Sequence, residues 1–207
     1  MNNLEVSLLI PVYNCELYIE RAIRSAIQNK SLTSGLEIVV INDGSSDETP
    51  NILKKFDNDI KIVNHNSNMG LPSALNTGIR ISSGQFIVRL DADDFILPEY
   101  SFILSSFLRR NKDLDAVKCD YYVIDKMENI TKYMNSEIHP IGCGIMFRRE
   151  HLIDIGLYNQ KFRLNEDREL VERFEKKYKI HRLPIPLYKY YLHGDNMTIK
   201  SRNAPEF

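Results

Sequence analysis

The first hundred residues alternate two kinds of segment, and this alternation constrains the fold more than any other feature of the chain. Val6 to Val12 is an apolar run of the length expected for a strand buried on both faces. From Glu16 onward, Leu17, Ile19, Ala22, Ile23, Ala26 and Ile27 recur at helical spacing. Leu36 to Ile41 reads as a second buried strand and Ile60 to Val63 as a third. Pro72 opens a helix that Gly84 closes, with Ala74, Leu75, Ile79 and Ile81 as its apolar positions. Phe86 to Leu90 is a fourth strand. Repeated strand–helix–strand units predict an α/β fold with a central, mostly parallel mixed sheet flanked by helices.

The second half is less regular. Pro98 to Arg110 reads as a helix, Ala116 to Ile124 as a strand, and the polar stretch Lys126 to Asn135 as a hairpin or loop. Ile145 to Arg148 is a short strand, followed by a helix from Glu150 that Gly156 ends. Glu166 to Tyr178 is a charged helix whose inward face is Leu170, Val171 and Phe174. With no internal repeat and no break in composition, residues 1–207 are expected to form one domain.

Charge and cysteine usage exclude several classes. The 27 basic and 28 acidic residues leave a net charge of -1, which argues against a nucleic-acid-coating protein. Cys15, Cys119 and Cys143 are odd in number, far apart and form no CxxC pair, so neither a disulfide framework nor a zinc ribbon is supported. The N-terminus lacks a basic region followed by an apolar stretch, and no apolar run reaches the ~18 residues of a membrane span. A cytoplasmic setting is expected, with the inner face of the membrane also allowed.

Polar clusters stand at three strand ends: Tyr13-Asn14, Asn42-Asp43-Gly44 and Asp91-Ala92-Asp93-Asp94. Parallel sheets bind ligands beyond the carboxyl ends of their strands. On an extended segment Asp91 and Asp93 would face one ligand while Asp94 points away. Such hard oxygen donors suit Mg²⁺ or Mn²⁺ bound together with substrate phosphates. The plainer alternative is that Asp93 and Asp94 only cap the next turn.

The clusters occur in a recognisable order. Pro11-Val12-Tyr13-Asn14, Val40 to Asp47, Asn68-Met69-Gly70, Leu90 to Asp94, Gly144 to Arg149, Gly156-Leu157-Tyr158, Glu166-Asp167 and Tyr191 to Thr198 follow one another along nearly the whole chain. In this the sequence resembles the inverting GT-A glycosyltransferases of glycosyltransferase family 2. The resemblance implies a Rossmann-like GT-A domain, with a nucleotide-binding half to about residue 97 and an acceptor and catalytic half after it. It implies a nucleotide diphosphate sugar as donor, most simply UDP-linked, because Asp43 stands where such enzymes contact the base and a carboxylate suits the N3–H of uracil. An Asx turn closing the Asn42-Asp43-Gly44 loop is the alternative for Asp43.

By the same resemblance, Pro11, Tyr13 and Asn14 line the nucleoside pocket, although Tyr13 could equally be plain packing. Asn68, Gly70 and Ala92 belong to the nucleotide-sugar-binding segments. Asp91 contacts the ribose or metal-bound water, and Asp93 holds a divalent metal, Mn²⁺ or Mg²⁺. Asp167 is the general base for the acceptor hydroxyl, with Glu166 supporting it; the alternative is that both only favour a helix N-terminus through its dipole. His193 is a second metal or phosphate contact, in a segment where the family often has an arginine and this chain has Tyr191. Lys200 and Arg202 follow, read either as a frayed basic terminus or as phosphate contacts.

The acceptor is expected to be a glycan, as in polysaccharide synthesis, or a lipid-linked or protein-linked group. Its recognition is expected from Lys126 to Pro140, from a partner subunit or from peripheral contact with a membrane. A sugar nucleotidyltransferase is the less favoured rival, because the loop after the first strand is neither glycine-rich nor basic. A non-catalytic nucleotide-sugar-binding partner is the other, against which the presence of Asp93 and Asp167 speaks.

Overall fold

The computed structural model describes residues 5–162 and 164–194. The strands are β1 (Val6–Val12), β2 (Leu36–Asn42), β3 (Lys61–Asn64), β4 (Phe86–Arg89), β5 (Phe95–Ile96), β6 (Ala116–Ile124), β7 (Ile130–Met134), β8 (Ile145–Arg148) and β9 (Ile180–Tyr191). The helices are α1 (Ile19–Gln28), α2 (Thr49–Lys54), α3 (Leu71–Ile81), α4 (Tyr100–Arg110), α5 (Arg149–Asp154) and α6 (Glu166–Phe174). One sheet runs in the order β3-β2-β1-β4-β8-β6-β9-β5, with β7 also on β6. It is mixed: β3, β2, β1 and β4 are mutually parallel, whereas β8 runs antiparallel to both β4 and β6.

The apolar runs are unbroken because helices cover both faces. Leu8 and Ile10 pack in one core with Ile19 and Ile23 of α1 and Leu104 and Leu108 of α4. Leu9, Val39 and Ile41 pack in the other with Leu75 and Ile79 of α3 and Leu170 and Phe174 of α6. Each fully buried aliphatic side chain contributes about 1.5–3 kcal/mol. Pro11 sits inside β1 at no cost to the ladder. Leu9 accepts from the Leu90 N–H on the β4 side, so the edge where Pro11 lacks an N–H is the one β4 leaves after Arg89.

The longest strand, β9, was not foreseen from the sequence, because Pro184 and Pro186 argue against a strand. The structure accommodates them with register shifts around Asp120: Cys119 pairs Leu183, but Asp120 pairs Pro186. The polar stretch after β6 is a hairpin through β7, and its tip reaches back to α1 through Arg21 and Glu128, 3.2 Å apart. Among the described residues no helix is long and apolar enough to cross a membrane.

Candidate active site

Val12 pairs Asn42 and Leu9 pairs Arg89, so the ends of β1, β2 and β4 open on one edge of the sheet. At the end of β2, loop closure falls to Asn42, whose Oδ1 accepts the Ser45 N–H at 3.1 Å. The Asx turn considered for Asp43 therefore belongs to its neighbour. Asp43 is buried and reaches the next loop instead. Its Oδ1 accepts the Met69 N–H at 2.9 Å and its Oδ2 the Gly70 N–H at 2.8 Å. His65 Nδ1 lies 2.7 Å from Asp43 Oδ1, and its Nε2 lies 3.0 Å from Thr77 Oγ1. Gly44 permits this close approach: its φ is +73°, and a Cβ there would stand 2.5 Å from the Ser67 carbonyl carbon. Asn68 Oδ1 also accepts the Gly70 N–H at 3.0 Å. Asn14 fastens this loop to β1, its Oδ1 accepting the Ser46 N–H at 2.8 Å and its own N–H donating to Ser45 Oγ at 3.0 Å. Pro11 is buried, whereas Tyr13 is 48% exposed at the strand end, so plain packing does not describe it.

At the end of β4 the structure departs from the extended segment expected. Residues 91–94 form a turn, with the Asp94 N–H donating to the Asp91 carbonyl at 3.1 Å. The three carboxylates thereby take different partners. Asp94 is buried, its Oδ2 accepting the Tyr188 hydroxyl and its Oδ1 the Tyr191 N–H, each at 2.7 Å. It straps the turn to β9. Asp91 takes the Arg89 guanidinium on both oxygens, at 2.5 and 3.1 Å. Ala92 is buried between them. Asp93 keeps 27% of its side chain exposed, and its Oδ2 lies 2.9 Å from His193 Nε2. Burial, and then the charge of Asp91, push the Asp93 carboxyl above its ordinary range despite His193.

These donors fit a divalent cation. Asp93 offers a carboxylate beside the like charge of Asp91, and His193 offers a nitrogen 2.9 Å from it. A second cluster, Asp91, Asp94 and Cys143, has donor atoms within 4.8 Å of one another. It suits a cation less, because Asp94 is fully buried with each oxygen held by β9 and burial pushes the Cys143 thiol well up, keeping its proton on. Arg21 of α1 donates to the Asp93 carbonyl at 2.7 Å and lies over the Tyr191 ring, 4.7 Å from its centroid. A guanidinium thus reaches the neighbourhood of Tyr191 from another element. Lys200 and Arg202 lie outside the described residues, as do residues 195–198 of the closing motif.

Across from this turn stands the start of α6. Asn165 precedes it with a left-handed φ of 59° and makes no side-chain cap, and the first turn carries Glu166, Asp167 and Glu169. Glu166 is buried and lies 3.3 Å from Arg89. Burial pushes its carboxyl up, Arg89 opposes this, and Asp167 adds to the upward push. Asp167 is half-buried beside Gly142, where a Cβ would stand 2.4 Å from Asp167 Cβ. Only a glycine at 142 leaves the carboxylate its present place. The structure thus joins Asp91 to Glu166 through Arg89, and sets Asp167 next along the same helix turn.

The family model for glycosyl transferase family 2 matches residues 7–164, most of the chain. The chain belongs to glycosyl transferase family 2. It is 29% identical over 221 residues to an uncharacterized glycosyltransferase of Haemophilus influenzae, covering 93% of this chain and 67% of that protein. It is 30% identical over 210 residues to the hyaluronan synthase of Pasteurella multocida, covering 94% of this chain but only 21% of the synthase. Several curated relatives are therefore much longer than this chain. Among solved structures, S. aureus TarS 1–349 in complex with UDP-GlcNAc superimposes with a TM-score of 0.81 at 19% identity, over 98% of this chain and 62% of that one. The mannosyltransferase PcManGT of Pyrobaculum calidifontis, in complex with GDP-Man and Mn2+, gives 0.74 at 19% identity, over 93% and 58%. These two likenesses establish the GT-A fold.

Within this family 2 domain, three residues around the site escaped the reading of the sequence: Arg89, Gly142 and Tyr188. Arg89 did carry a signal. It is the one charge in the apolar run Phe86 to Leu90, and a buried cation demands partners.

Proposed function

We propose that this chain transfers a sugar from a nucleotide diphosphate sugar, UDP-linked, to the hydroxyl of a glycan, lipid-linked or protein-linked acceptor, with inversion at the anomeric carbon. The observation that carries the reading is the shared opening of β1, β2 and β4, which bears Asp43 at the end of β2 and the Asp91–Asp94 turn at the end of β4, with Arg89 bridging Asp91 to Glu166 beside Asp167. Asp43 would accept from the nucleobase and Tyr13 would lie against it. Asp93 and His193 would hold Mn²⁺ or Mg²⁺, which when bound offsets negative charge on the diphosphate. Asp167 would take the acceptor proton, so that the oxygen attacks from the face opposite the nucleotide. The exposed hairpin between Asp125 and Pro140, with Met127 at 76% and Ile138 at 69% exposure, is the surface we assign to the acceptor.

Titration calorimetry with UDP tests this reading. UDP should bind in the presence of Mn²⁺ and lose most of its affinity in EDTA or in Asp93→Ala. Equal affinity under all three conditions would remove the metal from the proposal.

Nucleotide choice gives a separate expectation. Cytosine presents an acceptor at N3, which would face Asp43 with no proton between them. CDP should therefore bind more weakly than UDP by about 1–3 kcal/mol, or roughly ten- to a hundredfold. Asp43→Asn should narrow that gap, whereas a protein indifferent to UDP and CDP would confine Asp43 to holding the loop at Met69 and Gly70.

A further inference from the structure

Arg89 ends a strand whose other residues, Phe86, Ile87 and Val88, are all buried and apolar. Its guanidinium is itself almost fully buried, and a cation there is tolerated only with partners on its donors. It has two partners from distant parts of the chain. Nε and Nη2 hold both oxygens of Asp91, while Nη1 points to Glu166 Oε1 at 3.3 Å. Asp91 opens the turn that carries Asp93, and Glu166 stands one residue before Asp167. One rigid planar fork therefore touches the donor-side turn and the helix that presents the carboxylate on the acceptor side.

We propose that Arg89 is a positioning residue that couples these two parts of the site, fixing Asp167 relative to the bound nucleotide. The inference rests on the roles given above to Asp93 and Asp167. A guanidinium that served only to neutralise a buried acid would need one carboxylate. Here the bidentate pair fixes the orientation of the fork from the Asp91 side, and its third nitrogen then determines where the first turn of α6 can sit. Gly142 lies directly against Asp167, since a Cβ there would fall 2.7 Å from Asp167 Oδ2. A cation thus draws in the helix that carries Asp167, and a neighbouring backbone limits how far the carboxylate can move.

The test uses Arg89→Lys, which keeps a cation but has no fork, together with Glu166→Gln and the double variant. Melting temperature reads the fold, UDP affinity with Mn²⁺ reads the donor side, and UDP release from UDP-N-acetylglucosamine supplies kcat and KM. Arg89→Lys should remain folded at 25 °C, bind UDP about tenfold more weakly, and lose about 10–100-fold in kcat. Glu166→Gln should leave UDP affinity unchanged and lower kcat about tenfold. The double variant should be no slower than Arg89→Lys alone, because both changes break the same link. A lowered melting temperature with normal UDP affinity and kcat would reduce Arg89 to a structural ion pair and overturn the proposal. Multiplicative losses in the double variant would overturn the coupling. Failure of the unaltered protein to bind UDP would instead overturn the nucleotide reading, and this inference with it.

Discussion

Replacing Asp167 with asparagine is expected to slow sugar transfer by about 10²–10⁴-fold, the range for loss of a positioned general base. UDP affinity and the fold should be nearly unchanged. The amide keeps the size of the carboxylate and can still accept the Arg168 N–H, which Asp167 Oδ1 now accepts at 2.8 Å. It cannot take a proton. The competing role for Asp167 is electrostatic support of the N-terminus of α6, worth about 0.3–2 kcal/mol for a half-buried carboxylate. That role is weakened by redundancy, since Glu166 and Glu169 occupy the same first turn. Melting temperature, UDP affinity and transfer rate measured on one preparation separate the two. Near-normal transfer with a lowered melting temperature would leave the proposed displacement without its base.

The sheet was legible where period and burial agree. Val6 to Val12 and Ala116 to Ile124 read as strands because helices or neighbouring strands bury both faces, and that leaves an apolar run in the sequence. β9 was hidden by Pro184 and Pro186, whose ladder losses are absorbed by a register shift that no local rule foretells. The site shows the same division. Asp43, Asp93 and Asp167 could be named from their places in ordered motifs. What each one touches could not, because the partners arrive from elsewhere in the chain: Met69 and Gly70 for Asp43, His193 for Asp93, Gly142 beside Asp167. The extended reading of Asp91 to Asp94 failed for a related reason. Pairing of β4 ends at Arg89, and the chain turns so that Asp94 can reach Tyr188 and Tyr191 of a strand that had not been anticipated.

The largest loss of stability is expected at Asp120→Ala, far from the motifs. Asp120 is fully buried on β6, at the point where β9 slips past its prolines. Its oxygens accept Arg182 Nε at 2.8 Å, the Ser136 N–H at 2.9 Å, Ser136 Oγ at 3.0 Å and the Tyr133 hydroxyl. One carboxylate thus ties β9, β6 and the hairpin together where the backbone ladder is interrupted. Removing it orphans a buried N–H and a partly buried guanidinium. Because Arg182 keeps 26% of its side chain in solvent, the cost is set below that of a wholly buried pair, at about 2–4 kcal/mol. For a chain of this size that corresponds to a fall of about 5–15 °C in melting temperature. The pH dependence follows from the same contacts. Burial alone would raise the Asp120 carboxyl, but the Arg182, Ser136 and Tyr133 hydrogen bonds outweigh it and hold the group below its ordinary value of 3.8. A depressed folded-state value gives stability that is present above the unfolded value and lost as pH falls below it. The gap between the unaltered protein and Asp120→Ala should therefore be full at pH 7 and shrink below about pH 4. If the melting temperature at pH 7 is unchanged while amide exchange accelerates only between residues 125 and 140, Asp120 anchors the hairpin alone and β6 and β9 hold without it.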